Sequence, residues 1–306
     1  MLDKDGNVLM DNPDDGTGGR PEVQRGELRR IMLESLPPGA VRWGHKLRNA
    51  EPLGMGRHLL SFDNGSTATV DLLVGADGAW SKVRALVSKA KPAYSGTTFL
   101  ETWLHDADSR HPATAAAVGG GSMFALAPGK GIMAHREPDA VLHTYVALNR
   151  SKDWIDAISS DGDTTKETIA AEFKGWAPEL TALITESETH PVARILHTLP
   201  QDHRWERVPG VTLLGDAAHL MIPSGEGANL AMFDGAELGK SIAASPGDIE
   251  AALSRYEQQL FPRSHSAAIE AADLVQMMFC EGAPSSLVEA FAQDHLGKPN
   301  PSTRHD

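Results

Sequence analysis

Val211-Thr-Leu-Leu-Gly-Asp-Ala-Ala-His-Leu-Met-Ile-Pro-Ser-Gly-Glu-Gly-Ala-Asn-Leu230 is the stretch that decides how the 306-residue chain reads. It opens on an apolar run, breaks at Gly215-Asp216, crosses Pro223 and two glycines, and resumes an apolar pattern from Leu230 that suits a helix. The order is strand, ligand-facing loop, helix. Asp216 stands at the carboxyl end of the strand, and Gly225 to Asn229 would leave backbone N–H groups pointing out of a helix N-terminus. The carboxylate suits a hydroxyl-rich chain, and the amides suit an electron-rich carbonyl or a phosphate. A dinucleotide carries both, and a flavin fits best.

Composition narrows the classes. Hydrophobic content of 41%, 23% charged residues and 306 residues describe a globular chain with room for one large domain or two modest ones. A formal charge of −13, with no basic cluster, argues against nucleic acid or an anionic membrane as partner. No apolar run approaches the roughly 18 residues of a membrane span, and Met1-Leu-Asp-Lys-Asp-Gly6 lacks a signal-peptide core, so a cytoplasmic monomer is expected. The single Cys280 excludes an internal disulfide and a cysteine-based metal site, and the 13 histidines are scattered, so no metal is expected. Gly-x-Ser-x-Gly, His-Glu-x-x-His and Gly-Lys-Ser/Thr signatures are absent.

Upstream, Leu28, Ile31, Met32 and Leu36 recur at helical spacing after Arg25 and stop at Pro37-Pro38-Gly39. Val41-Arg-Trp43, Leu59–Phe62 and Ala68–Val70 read as short strands, and Asp71-Leu-Leu-Val74 as a buried parallel strand. A helix from Ser81 to Val87 follows, with Asp77 either capping it or lying near a cofactor. From Tyr94 to Leu199 alternating runs predict an antiparallel sheet with an apolar, aromatic face. Phe99, Trp103, Met123, Phe124, His143 and Tyr145 are assigned to that face. Asp163–Trp176 and Pro178–Glu188 read as helices, with Thr164 or Thr165 as a cap. Leu230–Ala244 and Ile249–Phe279 carry helical patterns, the second bent or broken at Pro262, before a frayed tail at Gly297–Asp306.

Gly215-Asp216-Ala-Ala-His219, Pro223 and Gly225-x-Gly227-x-Asn229 resemble the GD motif of FAD-dependent aromatic hydroxylase-type monooxygenases, the group A flavoprotein monooxygenases. Asp71-Leu-Leu-Val-Gly-Ala-Asp77-Gly78-Ala-Trp-Ser81-Lys-Val-Arg84 resembles their DG motif, and Arg25-Gly-Glu-Leu28 their Arg-x-x-Leu. Within the family the resemblance is nearest to the tetracycline-inactivating monooxygenases. It implies an α/β fold: an incomplete Rossmann-like FAD-binding domain at 1–90 and 200–248, interleaved with an antiparallel-sheet substrate domain at 91–199, and a C-terminal helical segment at 249–306. It also implies an enzyme in which NADPH reduces FAD and oxygen adds at the flavin C4a carbon. The hydroperoxide then hydroxylates an aromatic or polycyclic small molecule.

This chemistry asks the protein to hold, orient and exclude water, so no side chain is assigned a catalytic role. Arg25, Asp77, Gly215, Asp216, Pro223, Gly225, Gly227, Ala228 and Asn229 are expected to bind cofactor, and Met123, Phe124, His143 and Tyr145 substrate. His219 is expected to support the loop. Two departures stand out. Ile222-Pro223 replaces the family's Pro-Pro, and no Gly-x-Gly-x-x-Gly unit follows an apolar strand; Gly16-x-Gly18-Gly19 and Gly119-Gly-Gly121 are poor substitutes. Lacking that cradle, the chain alone is expected to bind FAD weakly or not at all, with Val70–Leu73 and Leu213-Leu214 meeting solvent or collapsing. The alternative reading is a catalytically dead remnant that binds a hydrophobic molecule without flavin.

Overall fold

The computed structural model describes residues 1–13, 22–160 and 165–297. Helix α1 (Arg25–Glu34) precedes an antiparallel meander, β1 (Leu47–Gly54), β2 (Arg57–Phe62) and β3 (Thr67–Val70), and a short strand β4 (Leu73–Gly75). A 3-10 turn at Arg84–Leu86 leads into β5 (Ala93–Leu104), α2 (Ala107–Arg110) and α3 (Pro112–Val118). Next come β6 (Ser122–Ala127), β7 (Lys130–Glu137) and β8 (Val141–Asn149), then α4 (Lys152–Ser160), α5 (Thr165–Glu172) and α6 (Pro178–Thr185). The chain closes with β9 (Val192–Thr198), β10 (Val211–Leu213), α7 (Asp216–His219), α8 (Gly227–Ala243), α9 (Ile249–Phe279) and α10 (Ser285–Gly297).

The large sheet is antiparallel in the order β6-β7-β8-β5-β9. Because side chains alternate across a strand, pairing register sorts residues by face. Leu100, Leu104, Ile132, Leu142 and Val146 point into a core with Ile169, Phe173, Leu180 and Leu183 from the helices. The other face carries Phe124, Met133, Tyr145 and Glu101 in one row and Ser122, His135, His143 and Trp103 in the next. One end of that face is covered by Met278, Phe279 and Leu287, from the end of α9 and from α10.

A second core forms where β10 pairs in parallel with β4. Val211, Leu213, Leu73 and Val83 pack there against Leu253, Tyr256 and Leu260 of α9. The expected exposure of this region is therefore wrong. Leu213 is 0% and Leu73 8% exposed, because α9 lies against the pair and the buried Tyr256 hydroxyl donates to the Leu213 carbonyl at 3.0 Å. Val70, Leu72 and Leu214 are partly buried against the same cluster.

Other expectations are corrected. Val41–Trp43 is not a strand, and β1 forms instead from Leu47–Gly54 by pairing with β2. The helix expected at Ser81–Val87 contracts to the one 3-10 turn. Pro262 neither bends nor breaks the element enough to end it: α9 runs on for 31 residues, anchored by buried Tyr256 and Leu260 before the proline and Ala268 and Ala271 after it. The α1 pattern does make a helix, yet none of its residues is buried, and Ile31 and Met32 are exposed. Gly16–Gly19, Asp163, Thr164 and the tail beyond Gly297 lie outside the described residues; Thr165 opens α5 and donates to the Ile158 carbonyl. No helix among the described residues is long and apolar enough to cross a membrane.

Two outcomes test this packing. Tyr256→Ala removes a fully buried ring and should cost about 3–5 kcal/mol, read as a lower urea midpoint. Burial lowers the pKa of both His203 and His58 below the ordinary 6.5, outweighing the hydrogen bonds they make to the Ala218 and Gly56 backbone. The unfolded chain then binds more protons than the folded one below that value, so stability falls as pH drops through it. The melting temperature should decline from pH 7 to pH 5, and His203→Gln should flatten that slope.

Candidate functional site

β4 and β10 run parallel and end level, Gly75 opposite Leu213, so the loops after them leave from the same carboxyl edge. Their approach leaves no room at Gly75, where a Cβ would lie 2.5 Å from Leu213 Cδ2 and 2.8 Å from Val83 Cβ. Arg84, 3% exposed, ties the two loops together. Its Nε donates to the Ala217 carbonyl at 2.7 Å and Nη2 to the Asp216 carbonyl at 2.9 Å, while Nη1 reaches the Ala79 carbonyl at 2.9 Å. Burial lowers the guanidinium pKa, and the nearby Asp77 and Asp216 carboxylates oppose that. Asp77 itself accepts from the Lys82 and Val83 amides at 2.7 and 3.3 Å. It thereby fixes the residues leading into the short turn, whose first amide, Arg84 N–H, donates to the Ser81 hydroxyl at 2.9 Å.

The second loop is braced from below. Gly215 takes φ +57°, and a Cβ there would stand 3.1 Å from Ala231 Cβ, so the turn requires glycine. Its amide donates to buried Asp234 at 3.0 Å, and His219 Nε2 meets the same oxygen at 2.6 Å. Arg263 donates to the other oxygen at 2.9 Å. Burial works to raise the Asp234 pKa, yet the hydrogen bonds from His219, Gly215 and Arg263 hold it below the ordinary carboxylate value. His219 thus supports the loop from inside. His203 does so too, its ring meeting the Ala218 carbonyl at 2.6 Å and the Ser88 hydroxyl at 2.9 Å.

What remains outside is open. Asp216 is exposed, and its carboxylate makes no hydrogen bond or ion pair with another described residue. Pro223, Gly225, Gly227, Ala228 and Asn229 are exposed along the approach to α8, whose N-terminus has no side-chain cap. A Cβ at Gly225 or Gly227 would meet nothing within 4 Å, so the space beside them is open. Arg25 is exposed at the first turn of α1, and no hydrogen bond joins it to either loop.

The open face of the large sheet lies on the side of this loop. Met221 and Ile222 close a cavity of about 140 Å³ with Ser95, Thr198 and Leu199 from the sheet and Ala268 and Ala272 of α9, the helix that continues onto that face. Phe124, His143 and Tyr145 stand on it, partly exposed. Met123 does not. It is 3% exposed and sits one register position away, in the core beneath the helices, so its assignment to the substrate face is wrong. His143 stacks on Trp103 with ring centroids 5.0 Å apart at 9°. Its Nε2 meets Glu101 at 2.8 Å and its Nδ1 Glu137 at 3.1 Å, while Arg194 donates to Glu101. Burial and Glu101 raise the Tyr145 pKa, keeping its hydroxyl neutral. Glu101, Glu137 and Arg194 were not foreseen, although Phe99-x-Glu101-x-Trp103 alternates on the face already identified. Among the described residues no cluster of His, Cys, Asp and Glu could hold a metal ion.

Comparison with known proteins agrees with this geometry. The family described as FAD binding domain matches residues 24–268. Monooxygenase asqM of Emericella nidulans is 28% identical over 87% of this chain and 74% of its own length. The structure of Klebsiella pneumoniae HpxO complexed with FAD and uric acid superposes with a TM-score of 0.71 at 26% identity, covering 89% of this chain and 67% of that one. Tetracycline destructase Tet(51) shares the fold, with a TM-score of 0.65 at 19% identity, covering 98% of this chain and 79% of its own. The chain belongs to the FAD binding domain family, and its relatives include proteins named as monooxygenases and as FAD-dependent hydroxylases.

Proposed function

We propose that the protein is an NADPH- and FAD-dependent monooxygenase that hydroxylates an aromatic or polycyclic small molecule. The observation that carries this is the exposed Asp216 carboxylate just past β10, which bonds no other described residue, on a loop that packs against α8 at Ala231 while the N-terminus of that helix carries no side-chain cap. The donor set fits a flavin. A carboxylate accepts strongly from ribityl or ribose hydroxyls, and the amides of Gly227, Ala228 and Asn229 suit the carbonyl edge of an isoalloxazine. Gly225 and Gly227 keep that approach free of side chains. In this reading 1–90 and 200–248 hold the cofactor, 91–199 the substrate.

The bound flavin would supply electron storage and oxygen activation. This chain's residues do the rest. Arg84 and Asp234 fix the two loops, Asp216 and the α8 amides orient the cofactor, and Phe124, Tyr145 and the Trp103–His143 stack present the substrate ring. Met221, Ile222 and α9 exclude water from between them. Asp77, with its oxygen turned to two backbone amides, acts mainly by holding its own loop, while Arg25 stands exposed at the start of α1.

In this reading Asp216 and the amides of Gly227, Ala228 and Asn229 hold the flavin end of the cofactor. Equilibrium dialysis should therefore find both FAD and riboflavin bound. Asp216→Ala should weaken both about tenfold, the value of one lost charge-assisted hydrogen bond. Unchanged affinity in the variant, or no uptake of either flavin, would contradict the proposal.

A further inference from the structure

The open face of the large sheet carries more charge than its aromatic rings suggest, and the charges are already committed to one another. Residues in register across β6, β7, β8, β5 and β9 place Glu137, His143, Glu101 and Arg194 in one patch around Trp103 and Tyr145. Arg194 turns Nε and Nη2 to Glu101 at 2.7 and 2.6 Å. Both ring nitrogens of His143 face carboxylates, and Glu101 lies beside the Tyr145 hydroxyl as well. The neighbouring His135 meets the Ser122 hydroxyl at 2.9 Å and Glu22 at 3.3 Å. Lys130 and Arg136, on adjoining positions, turn to the helix-covered side, where they bond backbone carbonyls of Glu172, Gly119 and Ala115.

The patch is thus net acidic. Two carboxylates stand against one permanent cation, Arg194, whose Nε and Nη2 are already turned to Glu101. An anionic ligand would meet Glu101 and Glu137 with that one guanidinium already shared with Glu101, at separations where like charges in a half-buried site repel strongly. A phenol or amine N–H or O–H, in contrast, finds carboxylate oxygens, and its ring finds the Trp103, Tyr145, Phe99 and Phe124 planes. Resting on the reading of this face as the substrate wall, we propose that it selects an uncharged aromatic bearing O–H or N–H donors and rejects aromatic carboxylates. Glu101 is the specificity-determining residue, because it holds Arg194 away from any ligand carboxylate.

Isothermal titration of the protein with 6-hydroxy-2-naphthamide and 6-hydroxy-2-naphthoate, a pair alike in shape and different in charge, tests this. The amide should bind at least about tenfold more tightly, a difference of about 1.4 kcal/mol. Glu101→Gln should release Arg194 and raise affinity for the naphthoate, so that the gap closes or inverts. Glu137→Gln, at a more exposed position, should narrow it. Equal or tighter binding of naphthoate by the unmodified protein, a gap that both variants preserve, or failure of both compounds to bind would overturn the inference. Dialysis of FAD against the same preparation separates the two readings: flavin uptake with no discrimination between the compounds defeats this inference alone, and discrimination without flavin uptake defeats the cofactor assignment alone.

Discussion

The buried guanidinium of Arg84 is the interaction on which the site depends. It lies between two loops that leave neighbouring parallel strands and spends its N–H groups on main-chain carbonyls from both. The Asp216 carbonyl is turned inward to this arginine while its side chain is exposed, so the backbone is held and the carboxylate faces solvent. Lysine could not serve in its place, since one compact ammonium lacks the planar fork that reaches several oxygens at once. Beneath the second loop, Asp234 gathers Gly215, His219 and Arg263 into a network with every carboxylate oxygen occupied. Both braces are buried and charged, so each would be costly if half-made; Arg84 bonds carbonyls of both loops, and both Asp234 oxygens are occupied.

Much of this was legible in the residues. The strand-loop-helix from Val211 to Leu230 could be read because an apolar strand, a Gly-Asp break and a glycine pair leave few other conformations. The apolar run at Asp71–Val74 could be read as a buried parallel strand, although that β10 is the strand it pairs with could not. The remainder was hidden for identifiable reasons. β1 contains Asn49, Glu51 and Pro52, poor strand formers, and exists only because β2 offers a partner. Met123 and Phe124 are neighbours on one strand, and alternation alone says that they face opposite ways without saying which side the helices cover. Asp234 sits in an ordinary helical pattern, and its partners are 15 and 29 residues distant.

The long α9 links the two packed regions of the molecule. At its beginning Leu253 and Tyr256 seal β4 and β10, which explains why those strands stay buried with so little sheet around them. At its end Met278 and Phe279 cover the apolar end of the large sheet's open face. The polar patch of Glu101, Trp103 and His143 lies beyond that cover, at the opposite end of β5 from Ser95, which lines the cavity closed by Met221 and Ile222. Cofactor edge and substrate wall are therefore positioned by one continuous element. The same helix carries Arg263, so it also takes part in bracing the Gly215 turn.

The most direct test of this account is hydrogen exchange on Arg84→Lys, compared with the unmodified protein. If one guanidinium couples the loops, amides in 76–84 and 214–220 should lose protection together, while those of β5, β7 and β8 keep theirs. Loss confined to one loop, or no loss in either, would contradict it.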